Sequence, residues 1–158
     1  MFKKNLILIL SIFLLFSCAK EDKVTLEPTD EEMAISVYAE AIDALKKGDA
    51  FYAAKKFREV ESLLPQTEWA AKSSLLAAYA EYSRNAYSKS VFSLERHIAN
   101  YPADKNIPYA HYLIAICYYE QILDEKKDLE PLLRSKKKFE YILLEFPKTD
   151  YAVDAGFK

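Results

Sequence analysis

Few side chains in this 158-residue chain could do chemistry, and their spacing decides what kind. Two are thiols. Cys117 lies in the apolar stretch "YLIAICYY", where a cysteine reads as a small core hydrophobe, with redox or intermolecular chemistry as the alternative. Cys18 closes the stretch "FLLFSC" near the N-terminus. His97 and His111 stand far apart, and no Cys/His pair has the short spacing that zinc requires, so each reads as a helix-packing or surface residue. The chain contains no glycine-rich phosphate loop, no nucleophile elbow and no HExxH. The carboxylates scatter among lysines as on a solvated surface. Lys136, Lys137 and Lys138 form the strongest basic cluster; it reads as a solvated helix face or as a contact for an acidic partner or lipid headgroups, with Phe139 pointing the other way. The expectation is a protein with no catalytic residues, no cofactor and no metal.

Cys18 belongs to an N-terminal signal. Lys3 and Lys4 precede an apolar run from Leu6 to Phe16, which ends at the small residue Ser17. A span needs roughly 20 apolar residues, so this run is too short to remain in a membrane. Leu15-Phe16-Ser17-Cys18 resembles the bacterial lipobox, in which the thiol is lipidated and the peptide is cut just before it; an ordinary signal peptide with a chance cysteine is the alternative. Several acyl chains at about 0.8 kcal/mol per buried methylene make a stable anchor without a span. Ala19 follows, where the lipoprotein retention rule asks for aspartate, which points to the periplasmic face of the outer membrane.

Removing residues 1–17 leaves 141, enough for one domain, with 20 basic against 24 acidic side chains. This mildly acidic balance offers no basic stripe for nucleic acid. Two glycines, 12 tyrosines and 9 phenylalanines describe a helical, aromatic-rich chain. Residues 18–29, charged and aperiodic with Pro28, read as a flexible tether. Thr29 through Glu32 supply a helix start.

Three segments then share one register: "AAKKFREVESLLP", "SVFSLERHIANYP" and "SKKKFEYILLEFP". A small residue, a large apolar one and a proline recur as Ala53, Phe57, Pro65; Ser90, Leu94, Pro102; and Ser135, Phe139, Pro147. The small residue permits close approach of an antiparallel neighbour, the large one fills the groove beside it, and proline ends the helix. Upstream stripes, Tyr38, Ala41, Ile42, Leu45 and Leu75, Ala78, Tyr79, Tyr82, have the spacing of one helical face, so each unit holds two helices. Gly48 reads as a left-handed helix cap between such a pair. The predicted fold is all-α: a tetratricopeptide-like solenoid of helical hairpins with three repeats, at about 32–66, 67–103 and 107–147, and the start of a fourth over 148–158. The third repeat is lengthened by a predicted loop over 123–133. The unfinished fourth unit suggests either a fragment or an apolar face covered by a partner.

Lipobox, tether and repeats with "YP" or "FP" endings together resemble the BamD family of lipoproteins of the β-barrel assembly machinery. The likeness is most specific in "FYAAKKFREVESLLPQTEWAAKSSLLAAYAEY", "LERHIANYPADKNIPYAHYLIAICYY" and "KKKFEYILLEFPKTDYAVDA". It implies a scaffold without catalysis that helps fold and insert outer-membrane proteins. Its partners would be a BamA-type barrel subunit, docked by C-terminal repeats beyond this chain, other assembly lipoproteins, and unfolded outer-membrane protein substrates whose C-terminal strand meets the N-terminal repeats. His97 stands where the family tends to have an aromatic. A concave helical-repeat surface suits such a peptide, and Tyr79, Tyr82, Tyr109 and Tyr112 are the candidates to grip it, each equally suited to core packing. The rival reading is a Tol-associated periplasmic coordinator of envelope constriction with similar repeats; such proteins are usually not lipidated, and Cys18 favours the assembly reading.

Overall fold

A computed structural model of the chain describes residues 28–122 and 128–158. Cys18 and most of the tether therefore lie outside the described residues. Seven helices occupy them: α1 (Asp30–Lys46), α2 (Ala50–Leu63), α3 (Glu68–Ser83), α4 (Tyr87–Asn100), α5 (Ile107–Tyr119), α6 (Glu130–Glu145) and α7 (Asp150–Ala155). Each packs mainly on the next, so α1/α2, α3/α4 and α5/α6 are successive hairpins and α7 opens another.

Local chemistry sets the boundaries. Thr29 and Glu32 form a reciprocal capping box at α1, each side chain accepting from the other's backbone N–H. Thr67 and Thr149 do the same work at α3 and α7: each hydroxyl accepts from the amide three residues on, Ala70 or Ala152, at 3.2 Å, and donates back to the carbonyl of Leu64 or Phe146. The sequence Pro-x-Thr after α2 and α6 thus ends one helix and starts the next. Gly48 has φ of +83° in the α1–α2 turn, a conformation that costs little only without a Cβ.

The small residues are buried between paired helices. Ala53, Ser90 and Ser135 are fully or almost fully buried. The serines do more than save space. Ser90 Oγ donates to the Ala78 carbonyl at 2.9 Å and Ser135 Oγ to that of Ala115 at 3.1 Å, so each ties a second helix to the backbone of its first. Around them lie three core clusters, centred on Phe57, on Leu94 with Leu113 and Ile114, and on Phe139 with Ile142. Burying one such side chain is worth roughly 1.5–3 kcal/mol.

The loop expected over 123–133 needs correction at its far end. Residues 130–133 belong to α6, and Pro131 occupies its first turn. Proline is tolerated there because the amide it lacks would have no partner inside the helix, and Asp128 Oδ1 accepts from the Glu130 N–H just before it. Past α5, Tyr141, Leu143, Leu144, Val153 and Phe157 remain exposed on the last elements.

Candidate functional site

The first helices of successive hairpins lie side by side. Tyr38 of α1 meets Trp69 of α3 edge-on at 5.1 Å between ring centroids, α3 touches α5, and α5 touches α7. Tyrosines line this face because α3 and α5 carry them at i and i+3, the spacing that puts two side chains on one side of a helix.

All four expected tyrosines stand on it, in different states. Tyr79 is the most open, 37% exposed, with its ring 6.2 Å from that of Tyr82. Tyr82 packs against both the second and third core clusters, which makes it the joint between repeats. Tyr109 of α5 is half-buried against Tyr151 of α7 at 5.5 Å. Burial first, and then the neighbouring hydroxyl of Tyr79, pushes its phenol up to about 12. Tyr112 lies 5.4 Å from Tyr151 and donates its hydroxyl to the Asp154 carboxylate. Burial and that hydrogen bond hold its phenol protonated well above the ordinary range. The face presents flat apolar area with polar hydroxyl tips, suited to gripping side chains and making hydrogen bonds.

Tyr151 was not among the expected site residues, although a signal for it was present. It follows Pro147 as Trp69 follows Pro65, and both residues open a first helix. Tyr87, 5.9 Å from Tyr82, extends the row at the start of α4.

The cysteine and the two histidines are packed among the helices. Cys117 is buried and free, and burial raises its thiol to about 11, so it carries little thiolate. His97 is buried with its ring 5.5 Å from Tyr101, and burial lowers its pKa against the pull of Asp104. His111 sits between Tyr141 and Phe146, and burial pushes it down to about 4. Among the described residues, no group of three His, Cys, Asp or Glu could hold a metal, and no helix is long and apolar enough to cross a membrane.

Stacked helical hairpins that present an aromatic face define a tetratricopeptide-like repeat protein, a class built to hold other chains. Within that class the assignment is specific. The YfiO family model, described as outer membrane lipoprotein, matches residues 30–158, and the chain belongs to that family. Among curated relatives, it is 34% identical to an outer membrane protein assembly factor BamD of Caulobacter vibrioides, over 89% of this chain and 46% of that protein. It is 33% identical to the BamD of Rickettsia prowazekii, over 78% of this chain and 49% of that one. A Neisseria meningitidis serogroup A BamD is 27% identical over 96% and 62%. The chain spans about half the length of the first two relatives.

Proposed function

We propose that this chain is a scaffold without catalysis that helps fold and insert outer-membrane β-barrel proteins, holding a peptide segment of its clients on the tyrosine face of α3, α5 and α7. The observation that carries the reading is that row of aromatic side chains running across three first helices, in a family of outer membrane lipoproteins whose relatives are named for outer-membrane protein assembly. Tyr79 offers the most open ring, while Tyr82, Tyr109 and Tyr112, each partly buried, complete and brace the face. Lipid on Cys18 would hold the repeats at the periplasmic face of the outer membrane, with the residues up to Thr29 as the tether. A barrel-type subunit and companion lipoproteins are the partners this role calls for. The Tol-associated alternative has no support, since the relatives above carry the assembly-factor name.

The test is detergent extraction of the tagged chain from its native envelope, with mass spectrometry of what co-purifies, beside a Cys18→Ala variant labelled with radioactive palmitate. Recovery of a barrel-type assembly subunit, and loss of label in the variant, is the expected result. Recovery of Tol components, or label that persists without Cys18, would contradict it.

A further inference from the structure

The opposite side of α3 carries a second, chemically different surface. At about 100° per residue, Glu81 leaves α3 roughly 160° away from Tyr79 and about 100° from Tyr82, and Arg84 follows as the C-cap of the helix. They form the floor and one end of a groove of about 590 Å³ between the second helices α2 and α4. Five cationic side chains line it, Lys55, Arg58, Arg84, Lys89 and Arg96, against the one carboxylate of Glu81. That carboxylate is 4% exposed and already engaged, accepting from Arg58 and from Ser93 Oγ at 3.2 Å. Arg96 is held by Glu61 at 2.6 Å, and Glu61 also accepts from Tyr101, which pins α2 to the end of α4. Among the described residues, Lys55, Arg84 and Lys89 have no carboxylate within 4 Å.

Two large apolar side chains sit among these charges. Phe51 is 66% exposed and Phe92 70%, and the Arg84 guanidinium lies 5.5 Å from the Phe51 ring centroid. A cation stacked on a ring keeps its N–H edge free for an anion while the ring keeps its other face for an apolar contact. The groove floor is neutralised and rigid, and its rim is positive and aromatic. A recess of this volume takes a few side chains of an extended chain.

We propose that the α2–α4 groove docks an acidic peptide segment of a partner protein, with carboxylates at Lys55, Arg84 and Lys89 and an apolar side chain against Phe51 and Phe92. This site is separate from the tyrosine face, so the two can be filled together by different chains. Charge complementarity makes the docking sensitive to salt, because the rim lies in solvent.

The test is fluorescence anisotropy of the full-length chain in detergent with a fluorescein-labelled peptide EFDEFE, beside a basic control KFNKFK. Saturable binding of EFDEFE alone is expected, weakening several-fold between about 50 and 300 mM salt. Lys55→Glu with Lys89→Glu should weaken it at least about tenfold and Phe51→Ala with Phe92→Ala about threefold, while Lys136→Glu with Lys137→Glu, the same charge change on α6, leaves it intact. These side chains are exposed, and an unchanged far-ultraviolet circular dichroism spectrum confirms the fold; Lys55→Gln with Lys89→Gln serves if the reversal disturbs it. Absence of saturable binding, equal binding of KFNKFK, or equal loss in the α6 variant would overturn the proposal. So would sedimentation with phosphatidylglycerol vesicles that depends on Lys55 and Lys89 while the peptide fails to bind.

Discussion

His111 shows how a residue that could do chemistry is put to structural use. Its ring packs between Tyr141 and Phe146 at the contact of α5 and α6, and its Nδ1 is buried without a hydrogen-bond partner. Charging it there is unfavourable, so its pKa falls from 6.5 to about 4, with Lys138 adding to the effect. In the unfolded chain the same ring takes a proton near 6.5. The unfolded state thus binds more protons in the interval between, and stability is full above 6.5 and lost as pH falls toward 4. Urea unfolding at pH 7.5 and pH 5 should show the wild type losing about 1 kcal/mol more than His111→Phe, a figure discounted for incomplete burial. Equal losses would place the ring in water. At this scale the sequence was partly legible. Cys117 reads as core from its apolar neighbours alone, but the burial of His97 and the commitment of the Tyr112 hydroxyl to Asp154 depend on partners brought together only by folding.

At the scale of elements the recurring register carried most of the information. Small residue, large residue and proline at fixed spacing require a helix that packs tightly and then stops, and α2, α4 and α6 each end within two residues of the proline. The spacing could not show that Ser90 and Ser135 also hydrogen-bond the neighbouring helix, because alanine fills the same place at Ala53. The extra length of the third repeat reads as a loop over 123–133, but proline suits a first turn, and α6 begins at Glu130 inside that stretch. The Glu81, Arg58 and Ser93 network joins α2, α3 and α4 and left no local trace. The two glycines offer a contrast within one element type. Gly48 has positive φ and open space around it, so Gly48→Ala should lower stability by about 1 kcal/mol through backbone strain. Gly156 has φ of −70°, and a Cβ there would meet ordinary contacts from 3.5 Å, so Gly156→Ala should leave stability unchanged or slightly raised. Urea midpoints of the two variants check this, and equal losses would contradict the assignment of strain to Gly48.

The whole molecule divides its chemistry between two sides. First helices carry aromatic surface with phenol tips, and burial raises the pKa of Tyr109 and Tyr112. Second helices carry a cationic groove around a sealed carboxylate. Such a division suits a scaffold that holds a client on one side and a companion chain on the other, and it arises because α3 contributes tyrosines to one side and Glu81 and Arg84 to the other. Tyr79 and Tyr82, like Tyr109 and Tyr112, share a side by helical spacing, and Tyr151 stands after Pro147 as Trp69 stands after Pro65; the groove required the packing of non-neighbouring helices.

The most direct test of the client-binding claim is the affinity of the full-length chain for a labelled peptide copied from the C-terminal strand of an outer-membrane β-barrel, measured with and without Tyr79→Ala and Tyr109→Ala together. Saturable binding is expected, weakening at least about tenfold in a double variant whose circular dichroism matches the wild type. Undiminished binding in that folded variant would remove the tyrosine face from the role assigned to it.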